Sequence, residues 1–369
     1  MPLARWWDPL TRWLQPAPAP AESATSAARP SVLPEPARRP LSVDAGQAST
    51  AAAADSASLT DAFSAPVETS IDTRCRFLGW LLACPDEVDR RGAVPPAAPV
   101  ERMLKWLDEV IASDTLRATL LPRAPHVVPQ LMKTLRDERY SSVDVAQRIS
   151  KDVVLTAEVI RSATSAFRQD QDGETDLARA VGVIGTEGLR RAIASVVLRP
   201  IFDAPGDSLS ARAAALIWQD ADRKAKLCAA LAAQQAFDPF DGYLAGLLHN
   251  TGWSAALRAI DGFQETPLSA ADLLHPQVAG ALFRRRDALF GALVQPWQLS
   301  PAINQLAAEV GREGLHAAQS GLGKALRLAD RLAMLRALAP PGADAATVVP
   351  EWATLSKPVQ ACYAGLGRA

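Results

Sequence analysis

The chain has 369 residues, 49% of them hydrophobic, with 39 Lys and Arg against 40 Asp and Glu and a formal net charge of −1. That length allows two or three domain-sized units, and that composition can bury a substantial core. The charge balance leaves no chain-wide electrostatic footprint for DNA, RNA or an acidic membrane, so no nucleic-acid partner is expected.

The first segment, residues 1–14, is MPLARWWDPLTRWL. Leu3, Trp6, Trp7, Leu10, Trp13 and Leu14 fall near one face of a helix, although Pro9 interrupts it. Two readings stand: Trp6, Trp7 and Trp13 anchor the chain weakly to a membrane surface or a partner groove, or they form a sticky disordered end. Asp8 and Arg12 break the apolar run, so it does not read as a signal peptide. Residues 15–70 are rich in Pro, Ala and Ser and poor in bulky side chains. Such a segment cannot offset its chain entropy by burial and is expected to be a disordered linker.

Residues 71–113 carry an apolar cluster, Phe77, Leu78, Trp80, Leu81 and Leu82, then Met103, Leu104, Leu107, Val110 and Ile111 at helical spacing. Helical or partly extended elements that dock on the main domain are predicted. Residues 114–340 read as helical throughout. Ser141 is placed as an N-cap with Asp144 three residues on, ahead of the stripe Val145, Ala146 and Ile149. Good helix formers continue in EGLRRAIASVVLRPIF, ALIWQDADRKAKLCAALAAQQAF and GLGKALRLADRLAMLRAL. Gly182, Gly185 and Gly188 suit a tight turn between helices better than a phosphate loop, because no strand precedes them. Residues 341–369 form a tail with a further short helix. Strand-like alternation is nearly absent, and no run of about 20 apolar residues lacks charge, so no transmembrane segment is expected. The fold class predicted is all-α: a compact multi-helix bundle with a disordered N-terminal arm.

Read in order, LPRAPHVVPQLMKTL, SSVDVAQRISKDVVLTAEVIRSATSA, LARAVGVIGTEGLRRAIASVVL, DGYLAGLLHNTG, LVQPWQLSPAI and LRLADRLAML resemble the conserved stretches of the HDOD (HD-related output domain) family of bacterial signalling proteins. The resemblance covers roughly residues 115–335. It departs from the family at Thr164, where an Asn is usual, and at Asn250, where the signature has Asp. It implies a helical bundle related to HD phosphohydrolases, with a regulatory or interaction role.

An HD-type hydrolase needs a His on one helix, a His-Asp pair on another and a late Asp, so that imidazole and carboxylate meet on one divalent ion and activate water. Here the pair is His249 and Asn250, the late acid is Asp330, and the earlier His position, two residues after Trp218, is Asp220. Two of the four expected ligands are thus altered, so no catalytic residue, metal or other cofactor is expected. His249 then reads as a buried or half-buried residue bonded at a helix end, with Asn250 and Gly252 suited to a turn of positive φ. The chain contains four His; His275, before Pro276, reads as a surface or capping residue. Arg284, Arg285 and Arg286 form a basic cluster that could meet an anion or an acidic partner, with a solvated helix face as the plain alternative. Trp80, Trp106, Trp218 and Trp297 read as core or interface anchors. Cys75, Cys84, Cys228 and Cys362 make no Cys-x-x-Cys pair, and reduced thiols in a cytoplasm are expected.

The function expected is therefore a non-catalytic, cytoplasmic signal-transduction module that binds a regulatory protein partner through an HD-like bundle with degraded metal ligands. The alternative is a metal-dependent phosphohydrolase with non-standard ligands. A scaffold held at a membrane surface by the N-terminal tryptophans is a third class.

Overall fold

The computed structural model describes residues 69–88, 98–121, 177–263, 268 and 270–366. The N-terminal tryptophan segment, most of the Pro/Ala/Ser-rich stretch, the Ser141 cap and Thr164 lie outside the described residues. Among the described residues every regular element is helical. No helix there is long and apolar enough to cross a membrane.

Two helices precede the central bundle: α1 (Ile71–Leu81), capped by the Ser70 hydroxyl, and α2 (Ala98–Ala112). Each is amphipathic, and each buries one stripe. Phe77, Leu78 and Leu81 of α1 and Met103 and Leu107 of α2 are fully buried. The short α3 (Asp114–Ala118) follows. The helix α4 (Leu177–Leu198) breaks at Gly185, whose φ of 62° and ψ of −175° are a conformation that glycine adopts without a Cβ penalty. The glycine-rich stretch therefore turns the chain at its middle glycine.

The long α5 (Leu209–Gln234) is the spine of the bundle. Its first backbone N–H groups are met by the Ser208 hydroxyl and by the Asp261 carboxylate, a favourable charge at a helix N-terminus. Its buried face runs Ala213, Ile217, Asp220, Ala221, Lys224, Ala225, Cys228, Leu231 and Ala232. Two ionisable side chains thus lie inside an otherwise small and apolar stripe.

Against that face pack α6 (Pro239–His249) and α11 (Gly321–Leu338). The crossing with α6 is close because Gly242 and Gly246 have no side chain. A Cβ on Gly246 would lie 2.6 Å from the Ala225 Cα and from the Lys224 carbonyl oxygen. That approach sets the C-terminal end of α6 at the depth of Lys224. Beyond it run α7 (Thr251–Asp261), α8 (Ala270–Leu274), α9 (Pro276–Val294) and α10 (Pro301–Glu313). His275 caps α9, its Nδ1 accepting from the Gln277 N–H, as the capping reading expected. The helix α9 packs on α10, α7, α1 and α2. The chain closes with α12 (Ala345–Val348) and α13 (Lys357–Gly365), the latter lying on α5.

Trp80, Trp106 and Trp218 are half-buried and Trp297 is buried. Trp106 donates to the Ala259 carbonyl, and Trp218 packs on Phe202. All four cysteines are free thiols. Burial pushes Cys228 up to about 12 and Cys362 up to about 11, which keeps both protonated and poorly nucleophilic at neutral pH.

Candidate functional site

Four helices converge on one buried polar cluster. Helix α5 supplies Asp220 and Lys224, the α6–α7 junction supplies His249 and Asn250, α9 supplies Arg286 and Asp287, and α11 supplies Asp330. Lys224, Asp220, His249 and Asn250 are 0% exposed, Arg286 is 2% and Asp287 and Asp330 are 5%. Charged groups so deeply buried persist only when paired.

The pairing is centred on the Lys224 ammonium. Its Nζ donates to Asp330 Oδ1 at 2.5 Å and to Asn250 Oδ1 at 2.6 Å. It also lies 3.3 Å from Asp220 Oδ2 and 3.3 Å from His249 Nδ1. Two carboxylates, an amide oxygen and an imidazole nitrogen therefore surround one positive charge. These four side chains are the positions at which the sequence placed the four HD ligands, two of them altered.

Arg286 is a second internal cation. Its Nε and Nη2 reach Asp287 Oδ1 at 2.9 and 2.8 Å, and its Nη1 reaches Asp330 Oδ2 at 3.2 Å. Its guanidinium also lies over the Phe283 ring, 4.8 Å from the centroid, and 5.5 Å from that of Trp253. Asp287 completes its set by accepting from the Leu315 backbone N–H through Oδ2 at 2.8 Å.

His249 bridges the two halves. Burial pushes its imidazole down to about 4, and the charges of Arg286 and Lys224 act in the same direction. The neutral ring then has one hydrogen. Nε2 faces Asp287 Oδ1 at 3.1 Å and must donate to that carboxylate, so Nδ1 offers its lone pair to Lys224. Burial alone would raise the Asp330 carboxyl, but Arg286 and then Lys224 overcome it and hold this group well below the ordinary carboxylate range. Asp287 is likewise lowered, burial being overcome by Arg286 and by the bond to His249.

Asn250 follows from the same geometry. Its Oδ1 accepts from Lys224, while its Nδ2 donates to Asp220 Oδ2 at 2.9 Å and to the Ile217 carbonyl at 3.0 Å. A carboxylate could make the first bond but neither of the others. The reading of Asn250 and Gly252 as a positive-φ turn is corrected here. Asn250 has φ −75° and ψ −6°, and Gly252 sits inside α7. Gly252 is needed for clearance instead, since a Cβ there would lie 2.2 Å from the Arg286 carbonyl oxygen.

The arginine cluster also divides. Arg284 is exposed; Arg285 leaves the site, reaching the Leu104 carbonyl at 3.1 Å and Asp108 at 2.6 Å; Arg286 is buried. A wholly solvated basic face is therefore not what forms. The structure brings Asp220, His249, Asn250, Asp330 and Arg286 together. Lys224 and Asp287 complete them, and sequence reasoning had singled out neither.

The donor set does not fit a catalytic divalent ion. The centre between its oxygens is taken by an ammonium, which a metal would have to expel, and the pair's carboxylate is a neutral amide. Among the described residues no group of three or more His, Cys, Asp or Glu is arranged to hold a metal. One atom stands apart: Asp220 Oδ1 is buried with no hydrogen-bond partner.

A family model described as HDOD domain matches residues 121–311, more than half of the chain. No curated protein matches it significantly. A Shewanella amazonensis SB2B protein, provisionally named a metal-dependent phosphohydrolase, is 17% identical; the match covers 73% of this chain and 99% of that one at a TM-score of 0.52. An HDOD domain protein of unknown function from Geobacter sulfurreducens is 20% identical over 72% of this chain and 94% of that one, at a TM-score of 0.47. The first likeness is one of fold. With the helical bundle, the residue 121–311 match establishes that the chain belongs to the HDOD family.

Proposed function

We propose that this chain is a non-catalytic, cytoplasmic signalling module that binds a regulatory protein partner, and that Lys224 holds permanently the place a catalytic cation would need. The observation that carries this reading is the Lys224 Nζ, within 3.3 Å of acceptors on Asp220, His249, Asn250 and Asp330. An ammonium offsets the carboxylates as a metal would, but it has no open coordination position and cannot polarise a bound water into a nucleophile. The role left to the bundle is binding, with a partner sensing a shift in helix packing.

A second reading, a metal-dependent phosphohydrolase, is favoured by the orphaned Asp220 Oδ1. A single buried water accounts for that atom equally well.

Both readings are separated by one preparation of the full chain, purified without chelators. Non-catalytic binding predicts substoichiometric divalent metal by mass spectrometry and, with added Mn²⁺ or Mg²⁺, hydrolysis of bis(p-nitrophenyl) phosphate no faster than buffer. A stoichiometric metal lost on His249→Ala, together with turnover, would establish the hydrolase instead. Affinity capture with the same chain then identifies the partner.

A further inference from the structure

Between α1, α9 and α11, at the outer side of the polar cluster, lies a recess of about 70 Å³. Its lining includes Arg74, Arg284, Arg286 and Arg327 with His316, against two carboxyl groups, Asp287 and Asp330. Both carboxyls are already committed inward. Asp330 accepts from Lys224 and Arg286, and Asp287 from Arg286, His249 and the Leu315 N–H. No carboxylate among the described residues lies within ion-pair distance of Arg74, Arg284 or Arg327.

Three of these arginines are also positioned, while Arg284 stands exposed at the rim. Arg74 and Arg286 share one aromatic ring, their guanidinium carbons 5.4 and 4.8 Å from the Phe283 centroid. Arg327 is tied by Nη1 to the His316 and Ala318 carbonyls at 3.1 and 3.2 Å. Guanidinium forks held by rings and carbonyls lose little freedom when an anion arrives, and their planar donors match phosphate oxygens. The recess admits a group of a few heavy atoms and is too small for a helix or strand.

Resting on the non-catalytic reading, we propose that this recess binds the phosphoryl group of a small phosphate-bearing molecule, without a metal. Arg74, Arg284 and Arg327 hold its oxygens, and Arg286 links the bound group to Asp330 and the Lys224 network behind it. The HD-like centre then serves as the ordered floor of a ligand site. The bound anion would be felt on α1, α9 and α11 together.

The test is calorimetric titration of the full chain with inorganic phosphate and, separately, glycerol 3-phosphate, in EDTA and at fixed ionic strength. Saturable binding is expected, weakened at least about tenfold in the Arg74→Gln/Arg284→Gln variant, since the substitutions remove charge-assisted hydrogen bonds to the anion. Arg284→Gln alone, at an exposed position, gives the same readout should the double variant fold poorly. Binding of the ester as tight as the free ion, or tighter, supports a phosphomonoester ligand; binding of the free ion alone supports inorganic phosphate. No saturable binding, or binding untouched by the variants, overturns the site and leaves the non-catalytic reading standing. Binding that appears only when Mn²⁺ replaces EDTA would place the phosphate on a metal and overturn both.

Discussion

Replacing Lys224 with Met is expected to destabilise the fold by about 3–5 kcal/mol, the usual result of removing one partner from a buried ion pair. The substitution keeps most of the side-chain volume, so little of the loss comes from a cavity. What remains is Asp330 Oδ1, Asp220 Oδ2 and Asn250 Oδ1 facing each other with no cation between them. Arg286 still holds Asp330 through Nη1, which keeps the loss within that range. A loss of this size is about a fifth or more of the stability of an ordinary domain, ~5–15 kcal/mol. Urea unfolding should show it as a lowered midpoint at unchanged m. Adding Asp330→Asn and Asp220→Asn to Lys224→Met removes the stranded charges as well. The triple variant should be more stable than the single one, a non-additivity that contacts made independently would not produce. A single-variant loss below about 1 kcal/mol, in the range of a surface pair, would mean that the ammonium does not hold the centre together.

The second large effect is acid sensitivity, and its sign is fixed by His249. The folded state holds this imidazole neutral down to about pH 4, whereas an unfolded chain takes up the proton near the ordinary value of 6.5. Between those values the unfolded state binds more protons, so stability falls as pH falls. The full depression corresponds to roughly 3 kcal/mol, at about 1.4 kcal/mol per pH unit. Asp330 and Asp287, both depressed in the fold, lose their contribution only below the ordinary carboxylate range, near 3.8. The two effects therefore occupy successive windows. His249→Gln can still donate to Asp287 and accept from Lys224, but it does not titrate. Its stability should be nearly flat from pH 6.5 to 4 apart from exposed groups, while that of the wild type declines. Equal slopes in the two proteins would show that His249 is not buried neutral.

Much of the fold was legible because helical periodicity is a strong signal, and the segments read as helices from EGLRRAIASVVL onward do form helices. The positions of the cluster were half legible. Asp220, His249, Asn250 and Asp330 were found through the family pattern as a degraded ligand set, with His249 read as a helix-end residue and Asn250 as a turn residue. The cation at their centre, Lys224, was missed because lysine in a helix is ordinarily solvated. A signal was present. Lys224 lies seven residues after Ile217 and four before Cys228, on the same stripe as Ala221 and Ala225, and four after Asp220. Arg286 is parallel. Three adjacent arginines read as one surface feature, yet only Arg286 sits four after Leu282 and four before Phe290, on the buried face of α9. Asp287 gave no comparable sign, because besides its neighbour Arg286 its partners come from α6 and from the turn at Leu315, which only the tertiary fold brings near.

The exchange of Asp for Asn at position 250 thereby has a physical reason besides loss of a ligand. With a built-in cation of single charge, a further carboxylate beside Asp220 and Asp330 would be excess negative charge in a buried place. An amide both accepts from Lys224 and donates to Asp220.

The most direct measurement is a crystal structure of the full chain grown in Mn²⁺ without chelators, with anomalous data collected near the manganese edge. The account predicts no anomalous peak between these helices, and Lys224 Nζ in hydrogen-bond contact with Asp330 and Asn250. A fully occupied manganese bonded to His249 and Asp330, with the lysine swung away, would contradict it.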